Sequence, residues 1–274
     1  MAERQSRLTT VQKTILMIPK LKAFSVHIGI SLVIFIAILA FIIYFWYPQP
    51  FFSSDGGWQG IRIIAAVDLT LGPLLTLIVY KPKKPHLKMD LTIIGMVQAA
   101  ALGWGLWVVH YERPIAAVYA EGVFSTVTAN KMAILGMTAE KLKAFGERTP
   151  VWIYSNLPDD PDKVQDIRLR AIRSGRGINL ETEFYAPIDQ TVREKLISEK
   201  FNVEAWVKDK PEFKTTYDSF VDHYKAQMDD IIFLPWNARH NRRIIALRKA
   251  DLSYVATLDI RPPEVDEEKP EYRD

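Results

Sequence analysis

Residues 24–47, FSVHIGISLVIFIAILAFIIYFWY, form an apolar run that is almost uninterrupted between Ile28 and Phe45. A helix needs about 20 largely apolar residues to cross the hydrocarbon core of a bilayer, so this stretch reads as a membrane span. It is too long for a signal-peptide apolar region, and Trp46-Tyr47-Pro48 stands where small residues would mark a cleavage site. It therefore reads as an anchor. Two further stretches have the same character, from about Ile61 to Tyr80 and from Leu91 to about Tyr111. The link between the first two is rich in turn residues: Pro48, Pro50, Ser53, Ser54, Gly56 and Gly57.

Charge sets the expected orientation. The N-terminal segment carries Arg4, Arg7, Lys13, Lys20 and Lys22, and the second loop carries Lys81, Lys83, Lys84 and Lys88. The first loop has no Lys or Arg, since Arg62 lies just inside the second span. Short basic loops stay in the cytoplasm, which places the N-terminus inside and residues 113–274 outside. Trp46, Tyr47 and Trp58, with Trp104, Trp107 and Tyr111, read as belts at the outer interface. The expected organisation is a cytoplasmic N-terminus (1–23), a three-helix region (24–112), a periplasmic α+β domain (113–260) and a disordered acidic tail (261–274).

Composition excludes several classes. The chain is 49% hydrophobic and 24% charged, but residues 1–112 hold ten Lys/Arg against five Asp/Glu, leaving 25 against 27 for the rest. The basic balance thus belongs to the membrane end and gives no case for nucleic-acid binding. There is no cysteine, which removes disulfides, thiolate metal sites and a cysteine nucleophile. No phosphate-binding glycine loop, zinc spacing or nucleophile elbow is present. His110, His223 and His240 lack metal-ligand spacing. Asp159, Asp160 and Asp162 sit in a Pro-rich turn where helix capping accounts for them. No catalytic residue, metal site or cofactor is expected.

The outer domain reads as short alternating elements. Ile115–Thr128 reads as strand bent at Gly122, Thr138–Phe145 as a short helix, and Val151–Tyr154 as strand. Asp162–Arg173 reads as a helix, Leu180–Tyr185 as strand, and helices follow from Asp189 to about Lys200 and over Glu212–Met228. Ile231–Trp236, Arg243–Arg248 and Ser253–Asp259 read as a closing antiparallel meander.

Inside the spans, a few residues break the apolar pattern. Asp68 is the one carboxylate there, and such a charge is either functional or kept hydrated near the interface with Thr70 or Arg62. Gly72-Pro73 interrupts the second span and frees backbone carbonyls. Gly95, Ala99 and Gly103 recur at four-residue spacing, which admits a closely packed helix. That helix is either a neighbouring span or a partner's. His27 lies near the inner end of the first span, where interfacial residence accounts for it.

The ordered set Trp46-Tyr47-Pro48, Gly56-Gly57-Trp58, Val67-Asp68 and Leu71-Gly72-Pro73-Leu74-Leu75-Thr76 resembles the bacterial type IV pilin accessory protein family (TfpX/TfpZ type, fimbrial assembly accessory proteins). Lys88-Met89-Asp90-Leu91, opening the third span, and Leu234-Pro235, Arg239, Arg242-Arg243 and Arg261-Pro262 are similar too. The resemblance implies a non-catalytic inner-membrane protein, with the bilayer and a cognate type IV major pilin as partners. On it, Asp68, Gly72, Pro73, Gly95, Ala99 and Gly103 are expected to meet the pilin's helix, and the outer domain its head. Two other classes remain open from the residues: a membrane-anchored periplasmic ligand-binding or sensor module, and an envelope enzyme. Only short segments would face the cytoplasm, which weighs against a sensor.

Overall fold

Runs of Ile, Leu, Val, Ala and Phe offer no side-chain competitor for the backbone, so each becomes helix. The computed structural model describes residues 2–264, with side chains from Met17 onward. The expected acidic tail therefore lies, beyond Glu264, outside the described residues, as do the side chains of Arg4, Arg7 and Lys13. Two compact units are present. One comprises the chain up to Phe45 with Gly57–His110; the other comprises Trp46–Gly56 with the chain from Tyr111 on.

The first unit is helical. Helix α1 (Ala2–Phe41) continues through a wider π turn, Ile42–Trp46. Beyond the link, whose own short helix α2 (Phe51–Ser54) belongs to the second unit, comes α3 (Gly57–Ala65). A second π turn, Ala66–Leu71, joins α3 to α4 (Gly72–Val79), and α5 (Leu87–Tyr111) closes the set. Among the described residues, three helices are long and apolar enough to cross a membrane: Met17–Trp46, Gly57–Val79 and Leu87–Tyr111. Pro73 stands in the first turn of α4, where its missing N–H costs least. The Gly72 N–H reaches back five residues to the Val67 carbonyl, so the widened turn absorbs the interruption without a break.

The second unit is built on a seven-stranded sheet. Its strands are β1 (Pro114–Ala120), β2 (Val123–Thr128), β3 (Val151–Ser155), β4 (Tyr185–Pro187), β5 (Ile231–Asn237), β6 (Arg242–Arg248) and β7 (Tyr254–Leu258). The order is β4-β3-β1-β2-β5-β6-β7. The closing β5-β6-β7 meander is antiparallel, as its alternation and turns dictate. The sheet as a whole is mixed, because β1 pairs with β3, and β2 with β5, in parallel. The expected antiparallel meander is thus present, within a sheet that is mixed as a whole: long helical crossovers separate the parallel partners, and periodicity carries no record of which strands pair.

Helices α6 (Ala129–Ile134), α7 (Ala139–Leu142), α8 (Pro161–Arg173), α9 (Gln190–Ser198), α10 (Val203–Asp209) and α11 (Lys214–Tyr224) cover the sheet. Thr138, Asp160 and Asp189 cap α7, α8 and α9 through their side chains. Of the stretch 180–185 only Tyr185 is strand; two single 3-10 turns, Ile178–Leu180 and Thr182–Phe184, precede the three-residue β4 that it opens. The bend at Gly122 is a full hairpin turn, with Gly122 at φ 84.

Candidate functional site

Two constellations stand out, one in each unit. In the helical unit, polar side chains from all three apolar helices converge. Asp68, on the widened turn before Gly72, is 6% exposed. Ser31 Oγ donates to its Oδ1 at 3.4 Å and Gln98 Nε2 donates to the same oxygen at 3.3 Å. Its Oδ2 has no hydrogen-bond partner. His27 Nδ1 lies 2.6 Å from Thr76 Oγ1. Polar groups in an apolar bundle find each other because nothing else there can satisfy them. Asp68 is therefore engaged by Ser31 and Gln98 rather than by Thr70 or Arg62; the Arg62 guanidinium lies 5.3 Å from the Trp58 ring. Gly72 is what lets Gln98 in, since a Cβ at that position would sit 1.8 Å from Gln98 Nε2.

The small-residue stripe lies elsewhere. Gly95, Ala99 and Gly103 are exposed, and a Cβ on either glycine would meet nothing within 4 Å. Helix–helix approach within the unit uses other glycines: a Cβ on Gly60 would meet Val109 Cγ2 at 2.8 Å, and one on Gly105 would meet Ile64 Cγ1 at 3.6 Å. Gln98 and Ala99 are neighbours, so about 100° of helix rotation separates the side that reaches Asp68 from the stripe. Asp68, Gly72 and Pro73 are brought together, all three buried; Gly95, Ala99 and Gly103 face away from them.

In the second unit, the link Trp46–Gly56 is part of the core. The Phe51 N–H donates to the Pro48 carbonyl and turns the chain inward. Phe51 is 2% exposed, its ring 5.2 Å from Trp236 and 6.2 Å from Trp152. Asp55, 1% exposed, accepts from the Arg239 N–H at 2.9 Å and from the Ser54 hydroxyl at 2.8 Å. The His240 N–H donates to the Ser54 carbonyl at 3.3 Å. Gly56 has φ 98, a conformation that favours glycine, and a Cβ there would come within 3.1 Å of His240 Nε2, so the imidazole would have to give by a few tenths of an ångström. Arg239 in turn pairs with Glu112 at 2.6 Å. The β5–β6 turn therefore grips the link from both sides.

Burial pushes the Asp55 carboxyl above its usual range, and the Arg239 amide and Ser54 hydroxyl pull the other way. Burial likewise raises the Tyr47 phenol, opposed by the Arg239 charge. Both are structural shifts of desolvation. Among the described residues no three His, Asp or Glu side chains are grouped to hold a metal ion.

Ser31, Gln98, Phe51, Asp55 and Arg239 were not singled out as site residues by the sequence. Ser31 and Gln98 carried a signal, being polar residues inside apolar runs. Asp55 carried none, because its partner is 184 positions away.

The family model described as "Fimbrial assembly protein FimB" matches residues 16–55. The match covers the first apolar helix and ends on Asp55, so it takes in Phe51 and the gripped link. A fimbrial assembly protein of serogroups C1 and C2 from Dichelobacter nodosus is 31% identical over 101 residues, which are 36% of this chain and 76% of the relative. Those of serogroups E1 and I from the same organism are 32% and 31% identical over 101 residues each. The matched part spans 39% of the length of each of these two relatives and 36% of this chain. No solved structure matches the chain.

Proposed function

This chain belongs to the fimbrial assembly protein family, and from that premise we propose that it is an inner-membrane accessory protein that receives a cognate type IV pilin before assembly. The role is non-catalytic. Three apolar helices cross the bacterial inner membrane with the N-terminus in the cytoplasm, because Lys81, Lys83, Lys84 and Lys88 crowd the loop after the second of them. The second unit then lies in the periplasm. An unassembled pilin presents a single apolar helix in the bilayer and a globular head outside, and the two units offer one surface for each.

The observation that carries this reading is the open face of α5. Gly95, Ala99 and Gly103 leave room for another backbone to approach, and among the described residues no other helix takes it. Dispersion between closely packed backbones is the main source of helix association where no water is expelled. Asp68, Gly72 and Pro73 hold the receiving bundle together from behind, with Asp68 Oδ2 left as a spare acceptor.

Deletion of the gene, scored for surface pili, twitching and total pilin by immunoblot, tests the role. Lost pili with reduced pilin support a chaperone that stabilises the subunit, and lost pili with normal pilin support an assembly step. Unchanged pili and pilin would remove the assignment.

A further inference from the structure

Where β2 meets β5, the sheet is left unfinished. The parallel ladder has two rungs, Phe124↔Trp236 and Ser125↔Asn237, and stops. The last three residues of β2, Thr126–Thr128, have β1 as their one neighbouring strand among the described residues. Beside them opens a cleft of about 610 Å³ whose walls include Thr126, Lys131, Arg176, Asn179 and Asn237.

The cleft is cationic. Lys131 and Arg176 are both exposed, and neither side chain has an ion-pair partner among the described residues. Arg239, on the same wall, is already committed to Glu112. Thr126 is in the cleft wall, its side chain engaged with the Asp55 carboxyl. Two cations without counter-ions, an open strand flank, and side-chain amides that can both donate and accept make one chemical demand. They suit an extended polypeptide with carboxylates, which supplies backbone groups to β2 and charge to the walls.

We propose that the cleft at the β2/β5 seam binds an acidic, extended polypeptide segment that runs along Thr126–Thr128 and sets carboxylates against Lys131 and Arg176. The occupant rests on the pilus-assembly reading: it is an acidic stretch of the cognate pilin's head. Steering by the two cations speeds encounter, and the strand flank fixes register.

The test uses the full chain, tagged and in detergent, to capture cognate pilin extracted from the same bacterium. The unaltered chain is expected to retain pilin and to release it as salt is raised to about 0.5 M, where surface charges are screened. Lys131→Glu with Arg176→Glu is expected to retain at least tenfold less, while melting with the unaltered chain because both side chains are exposed. Lys131→Gln with Arg176→Gln, which adds no repulsion, is expected to fall between the two. Equal retention by the charge-reversed chain overturns the cleft and leaves the assembly role intact. No pilin on the unaltered chain overturns both.

Discussion

The backbone N–H of Arg239 donates to Asp55 Oδ1 at 2.9 Å, joining the link between the first two apolar helices to the β5–β6 hairpin turn. The carboxylate fixes the β5–β6 turn, and the turn's His240 lies close against Gly56.

Removing the acceptor leaves a buried amide unpaired. Asp55→Ala is expected to cost about 1–3 kcal/mol, the price of an orphaned buried donor. Asp55→Asn keeps an acceptor and should cost clearly less. Chemical denaturation of the full chain in detergent, followed by Trp fluorescence, separates the two; equal losses would mean that the Arg239 bond is not what Asp55 contributes.

The same carboxyl gives stability a pH slope. Its folded pKa is raised above the unfolded value, so the folded state holds the proton more tightly. The contribution is fully present below the unfolded value of about 4 and is lost as pH rises through the folded value. Tm measured from pH 4 to 7 should therefore decline more steeply for the unaltered chain than for Asp55→Asn. Parallel profiles would contradict the shift.

Phe51 is the apolar half of the same attachment. Phe51→Ala removes a buried ring from contact with Trp236 and Trp152 and should cost about 3–5 kcal/mol. Limited proteolysis should then cut the second unit much faster, with new sites in the 46–56 link. Unchanged cleavage would show that the link is a passenger on that core.

Within the helical unit, Gly72→Ala should displace the Gln98 amide from Asp68 and cost about 1 kcal/mol. In a Gln98→Ala background the same change should cost almost nothing, since the clash and the bond are both gone. Additive effects in detergent unfolding would separate Gly72 from the Asp68 cluster.

Ala99→Leu distinguishes a docking face from a packing face. The position is exposed, so stability should stay within about 0.5 kcal/mol. Pilin recovered by co-isolation, and surface pili, should fall. Normal piliation with this variant would remove the third helix from the proposed contact.

Much of this organisation is legible in the sequence, for identifiable reasons. The three apolar helices announce themselves because crossing a bilayer imposes length and composition locally. The caps Thr138 and Asp189 and the closing meander are likewise short-range, written in neighbouring residues. What the sequence hid is long-range pairing. Nothing local marks Ser125 as the register partner of Asn237, or Phe51 as a neighbour of Trp236. Nor does a four-residue spacing tell which side of α5 the other helices occupy; the larger side chains at Ile64 and Val109 decide that by filling the space at Gly105 and Gly60. The cleft was invisible for the same reason, since its cations come from α6 and from the turn after α8 and meet only through the sheet.

Order of synthesis gives the gripped link a further meaning. Phe51 and Asp55 leave the ribosome early; Trp152 follows Phe51 by 101 residues, and Arg239 follows Asp55 by 184. At ordinary translation speeds of about 5–20 residues per second, roughly ten to forty seconds pass before Arg239 exists to meet Asp55. For nearly all of the second half of that interval the Phe51 ring has Trp152 available but not Trp236. A chain stopped before Arg239 therefore carries an Asp55 without that donor, and the link is fastened only once the β5–β6 turn has been made.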